Sequence, residues 1–259
     1  MINKIIVMLL VVTSFGVSCS NETINEPSYE DLINNAILND ARSDDNKNQD
    51  KERKPAEIIK FAEVRPGMTV LDIVSDGGFY AEILANIVGG NGEVIAHTFL
   101  KNQSNPDFSY AESVNNSAYM SNVNMMYADF DSFNLKENTI DRVFMMQNYH
   151  NLYFDLPGDG GNIVQPLLAM IKKGLKPGGM IVIIDNDAEK GSPATSAITL
   201  NRISDEIVMS DMKMAGFKFV DNIHLLKNDW EDDLTKSIFD PSLMGNKRRF
   251  VHKYATPDN

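Results

Sequence analysis

Seven consecutive residues, Gln147-Asn148-Tyr149-His150-Asn151-Leu152-Tyr153, form the densest cluster of hydrogen-bonding and aromatic groups in the chain. An imidazole exchanges its proton near neutral pH, so a histidine here suits a general base for an acceptor that must lose a proton, with His150 the candidate. A histidine bonded within a loop is the alternative. A second cluster is Asp72-Ile73-Val74-Ser75-Asp76-Gly77-Gly78, where two carboxylates and two glycines share one short stretch. Glycine lets backbone approach a ligand and turn tightly. His97 and the pair Asp129-Phe130 are isolated candidates.

The surrounding pattern gives these residues a common address. Pro55 opens a helical pattern carrying Ile58, Ile59, Phe61, Ala62 and Val64. Residues 69–74 are a β-branched apolar run, read as a buried strand. A helix is expected over 79–88, stopped by Gly89-Gly90-Asn91-Gly92. Further strands are expected over 93–97, 123–128, 140–146 and 180–184, with helices over 109–120, 163–173 and 203–215. Residues 175–179 read as a turn, and 217–220 and 250–254 as late strands. Strands alternating with helices imply βαβ units, hence an α/β, doubly wound, mostly parallel sheet with helices on both faces. Such a sheet binds ligands beyond the carboxyl ends of its strands, where the strand order reverses. That rule selects residues 72–78, His97, Asp129 and 148–150.

Composition narrows the function classes. With Lys+Arg 24 against Asp+Glu 36, the net charge of −12 repels a phosphate backbone, so no nucleic-acid partner is expected. One cysteine excludes an internal disulfide framework, and four histidines leave little for a metal site. Lys4 precedes the apolar run from Ile5 to Val12, followed by small and polar residues; this reads as a secretory signal over 1–18, too short for the ~20 residues of a membrane span. Cys19 stands where a lipoprotein signal places its lipidated residue, although Gly16 replaces the usual aliphatic one; ordinary cleavage is the alternative. Membrane contact is expected only through that signal or anchor. The expected location is periplasmic or on the outer membrane. Residues 19–53 read as a polar tether with a lead-in helix near 29–38, and 54–257 as the folded domain.

The ordered set Val70-Leu71-Asp72, Gly77-Gly78-Phe79-Tyr80, Gly89, Gly92-Glu93-Val94, Ala128-Asp129 and Leu175-Lys176-Pro177-Gly178-Gly179 resembles class I S-adenosylmethionine-dependent methyltransferases, over about 54–257. More narrowly it resembles a group of exported methyltransferases, through Gly77-Gly78-Phe79-Tyr80-Ala81-Glu82-Ile83-Leu84 and the tail Asp240-Pro241 to Arg249-Phe250-Val251. The resemblance implies a Rossmann-like fold, S-adenosylmethionine as cofactor and a small-molecule acceptor. It implies cofactor contacts from Asp72, Asp76, Gly77, Gly78, His97, Asp129, Phe130 and Asn148, and acceptor chemistry at His150 and Tyr149. Asp129 would accept from the adenine amino group with Phe130 against the ring, unless it caps its own turn. Tyr149 would orient or shield the methyl.

The sequence departs from the family at several of these positions. The family loop is Asp/Glu-x-Gly-x-Gly-x-Gly; Val74 and Asp76 replace its first two glycines. Asp76 either pairs with the cofactor's positive charge or caps the helix at Phe79. His97 and Thr98 stand where the family carries the acid that receives both ribose hydroxyls. Asn186 stands where the narrower group has histidine. Two readings follow: a working methyltransferase, or a non-catalytic exported binding protein on the same fold. The second draws on these losses and on the cofactor's cytosolic origin. Neither a Gly-x-Ser-x-Gly elbow nor a Gly-x-Gly-x-x-Gly turn supports a hydrolase or dehydrogenase.

Overall fold

A computed structural model describes residues 27–105, 110, 114, 117–154, 163–226, 232–243 and 247–257. The signal, Cys19, and most of the helix expected over 109–120 lie outside the described residues.

Among the described residues, seven strands form one sheet in the order β3-β2-β1-β4-β5-β7-β6. They are β1 (Thr69–Ile73), β2 (Glu93–Thr98), β3 (Val123–Tyr127), β4 (Ile140–Met146), β5 (Leu175–Asn186), β6 (Lys218–Asn222) and β7 (Arg249–Ala255). β1 to β5 are parallel, and β7 is antiparallel to both β5 and β6. The helices are α1 (Tyr29–Ile37), α2 (Asp44–Lys47), α3 (Asp50–Arg53), α4 (Pro55–Ala62), α5 (Phe79–Val88), α6 (Val164–Gly174), α7 (Ser196–Leu200) and α8 (Asp205–Met214). The expected doubly wound α/β sheet is therefore present.

Alternation along the strands feeds two cores. Val70, Val94, Phe144 and Val182 pack with α1, α4 and α5 through Ile33, Ile58 and Leu84. Leu71, Val143 and Ile183 pack with α6 and α8 through Leu167, Ile171 and Met212. Start signals behave as expected: Ser28 and Asp31 form a capping box on α1, and Pro55 opens α4. The turn expected over 175–179 is drawn into β5 as a bulge, since Ile140 pairs with Leu175 while Arg142 pairs with Met180.

One expectation is corrected. Residues 39–53 are not a free polar tether; they fold against the domain through polar contacts. The Arg42 side chain is fully buried, holds Asp50 with two bonds of 2.9 Å and lies 3.7 Å from Glu82. The Asn46 amide donates to the Gly77 carbonyl at 2.9 Å. Little apolar area is needed, because Arg42 and Asp50 satisfy each other within the segment while Glu82 and the Gly77 carbonyl hold it from the domain. That segment thereby buttresses the glycine turn after β1.

Candidate functional site

β1 lies between β2 and β4, so the chain's strand order reverses there, the place where sheets of this type hold ligands beyond their carboxyl ends. On its β2 side, the loop after β1 is tied inward. Val74 sits at φ 55, an unfavourable region for a β-branched residue. Its N–H donates to His97 Nδ1 at 3.1 Å, and Ser75 N–H donates to the His97 carbonyl at 2.8 Å. His97 Nε2 lies 3.0 Å from the Ala128 carbonyl, which can only accept, so that nitrogen carries the proton. The ring is fully buried among Phe99, Phe130 and Phe133, and burial pushes its pKa down to about 4. His97 is therefore not placed to receive ribose hydroxyls: both ring nitrogens are committed to backbone.

The carboxylates of this loop divide. Asp72 is buried and accepts from the Ser75 hydroxyl at 2.6 Å. Desolvation raises its pKa to about 7, with the Arg53 charge opposing the shift. Asp76 is exposed and accepts from Thr98 Oγ1 at 2.6 Å, which in turn accepts from the Asn102 amide at 2.7 Å. It does not cap α5: the N-cap is Gly78, at φ 69. A Cβ on Gly78 would fall 2.0 Å from Tyr110 Cε2, so the Tyr110 ring lies directly on this glycine. Burial raises the pKa of the Tyr110 phenol. Sequence reasoning missed Tyr110, and no local motif marks it.

Asp129 is exposed, and its turn is closed by Ser132, whose hydroxyl receives the Asp129 N–H at 3.0 Å. Asp129 and Phe130 line a cleft of about 350 Å³ with Phe99, Lys101, Asn151 and Phe154. Three aromatic rings beside one carboxylate and one ammonium suit a flat, polar-edged ring.

The β4 rim is built differently. The Asn148 side chain is buried and donates to the Ile73 carbonyl at 2.7 Å, tying the end of β4 to the end of β1. Its Oδ1 is buried without a hydrogen-bond partner. Tyr149 is fully buried, and its hydroxyl donates to Asp211 at 2.9 Å, as does that of Tyr153. The expected role of Tyr149 in orienting a methyl group is corrected: it locks the rim onto α8. His150 is oriented by Asp185 at the end of β5. Asp185 Oδ1 is 2.8 Å from His150 Nδ1, and Oδ2 receives the His150 backbone N–H at 2.8 Å. Asp185 is fully buried and also accepts the Asn186 N–H at 2.7 Å. A carboxylate can only accept, so Nδ1 carries the ring proton and Nε2 is the basic nitrogen. Sequence reasoning missed Asp185, which stands beside Asn186 at the end of β5 with no local spacing to link it to His150. Gly77 and Gly78 both hold positive φ, at 80 and 69, as their type permits.

Sheet order, antiparallel β7 and the rim together define the Rossmann-like fold of class I methyltransferases. Solved structures of that class match along most of the chain. A S-adenosylmethionine-dependent methyltransferase from Aquifex aeolicus matches at TM-score 0.56 and 23% identity, over 80% of this chain and 92% of its own. A geranyl diphosphate methyltransferase in complex with S-adenosylmethionine matches at TM-score 0.56 and 12% identity, over 79% and 84%. The [4+2]-cyclase SpnF matches at TM-score 0.59 and 16% identity, over 86% of each chain. No family profile and no curated protein matches the sequence. At these identities the likeness is one of fold; the cyclase shows that the fold alone does not set the reaction.

Proposed function

We propose that the protein is an S-adenosylmethionine-dependent methyltransferase acting on a small molecule. The aromatic cleft lined by Asp129, on the carboxyl rim of a methyltransferase-type sheet, carries this reading. The residues fit the cofactor at two ends. Asp129 offers an acceptor for the adenine amino group, with Phe130 and its neighbours offering ring faces. Asn148 Oδ1 is a buried acceptor lacking a partner, suited to an ammonium, and Asp76 is an exposed carboxylate on the intervening loop. When bound, the cofactor supplies an electrophilic methyl on a sulfonium. The chain supplies alignment and a base. His150 Nε2 takes the acceptor's proton, and Asp185 at Nδ1 stabilises the imidazolium that forms.

A binding protein without transfer chemistry is the second reading. One observation favours it: Val74, His97 and Gly78 are engaged by the protein itself, the last by Tyr110. Calorimetric titration with S-adenosylmethionine and S-adenosylhomocysteine tests the first reading. Saturable heat with both is expected; no heat and no thermal shift at millimolar ligand overturns it. Export through the signal at 1–18 and lipid attachment at Cys19 belong to the same proposal, and mass spectrometry of the mature N-terminus checks them.

A further inference from the structure

A second cleft, of about 340 Å³, opens where α3, the residues after β6 and the start of β7 meet. Its walls carry Lys51, Lys54, Lys247 and Arg249 against one carboxylate, Glu52. This is a concentration of positive charge on a chain whose net charge is −12. The construction is specific. Lys54 donates to the Leu225 carbonyl at 2.9 Å, and the Arg249 N–H donates to the Leu226 carbonyl at 3.0 Å, which fixes the two walls. Arg249 is only 4% exposed, in pair register with Asn186 across β5 and β7. Its guanidinium reaches Glu52 through Nη2, while Nε is buried with no hydrogen-bond partner. The Asn186 amide beside it also has both polar atoms buried and unpartnered.

The cations that a ligand in the cleft would meet are chiefly the exposed Lys51 and half-buried Lys247, with Lys54 and Arg249 adding charge from behind. Four cations around one carboxylate exceed what a single carboxylate ligand needs, whereas a phosphate monoester brings close to two negative charges and three acceptor oxygens. An arginine fork with surrounding lysines is the chemistry that holds it. We propose that this cleft binds the phosphate group of a small molecule, as a site separate from the aromatic cleft. The proposal does not depend on methyl transfer.

Isothermal titration of the full chain with inorganic phosphate and with glycerol 3-phosphate, at low salt, tests it. Saturable binding is expected, with succinate binding at least about tenfold more weakly. Lys51→Glu combined with Lys247→Glu should weaken phosphate by about tenfold or more, while Lys213→Glu, an exposed lysine on α8, should not. Arg249→Gln should act similarly; because that side chain is buried, the surface pair decides the matter if this variant fails to fold. Absence of saturation at ~10 mM phosphate, equal weakening by Lys213→Glu, or equal affinity for succinate would overturn the proposal. So would competition by S-adenosylhomocysteine, since the cleft would then be part of the cofactor site.

Discussion

The two sides of the carboxyl rim treat their histidines in opposite ways. At the end of β2, His97 spends both ring nitrogens on backbone, holding the loop after β1 to the end of β3. At the end of β4, His150 spends one nitrogen on a buried carboxylate and keeps the other basic. Both rings are buried, and both stand at strand ends in a sheet of a type that binds ligands there. Position at a strand end is thus not sufficient for a ligand role. What decides is whether the protein already satisfies every polar atom of the side chain.

The largest expected effect breaks the β4 side. His150→Gln should lower turnover by roughly 10²–10⁴ while cofactor affinity stays within about twofold, because only the base is removed. Parallel single-turnover and calorimetric measurements check this; equal losses in both would assign His150 to binding.

Next comes the β2 side. His97→Phe keeps the aromatic volume but strands the Val74 N–H and Ala128 carbonyl, at about 1–3 kcal/mol each. Urea unfolding should show that loss, about 2–6 kcal/mol in all.

The pH dependence sharpens the contrast further. His97, at about 4 in the fold against an ordinary 6.5, contributes stability that is complete above pH 6.5 and lost as pH falls toward 4. Asp72, at about 7 against an ordinary 3.8, contributes stability that is complete below pH 3.8 and lost as pH rises toward 7. Between pH 4 and 6.5 the two slopes oppose each other. In His97→Phe stability should fall as pH rises through this window; in Asp72→Asn it should climb, each by at most about 1.4 kcal/mol per pH unit. Unfolding curves across the window that give both variants the same slope would refute the opposition.

The smallest effect is at the aromatic cleft. Asp129→Ala should weaken S-adenosylhomocysteine by roughly 5–10-fold and cost about 1 kcal/mol of stability, because Asp129 also forms a capping box with Ser132. Unchanged affinity in calorimetry removes Asp129 from the adenine site.

Most elements were legible because apolar period and punctuation act locally. β4 and α5 fall on the expected residues, and β1, β2 and β3 differ by one residue at their carboxyl ends. The rim was legible for the same reason: strand ends follow from strands. The roles at the rim were only partly legible. Asp185 lies 35 residues beyond His150, and Asp211 lies 62 beyond Tyr149; no local spacing connects either pair. The run Lys247-Arg248-Arg249 reads as a solvated edge, yet Arg249 is buried through a pairing with Glu52, 197 residues earlier. The segment 39–53 reads as tether because its burial depends on charges elsewhere in the chain.

The amino-acid sequence alone therefore determined the layered α/β architecture, the carboxyl rim of the sheet and the short set of residues along it, because hydrophobic periodicity and glycine turns are short-range. Tertiary structure alone decided which of those side chains face inward to backbone and which keep a polar atom available. Strand neighbours point to opposite faces, and hydrogen-bond partners come from distant segments that only the folded chain brings within 3 Å.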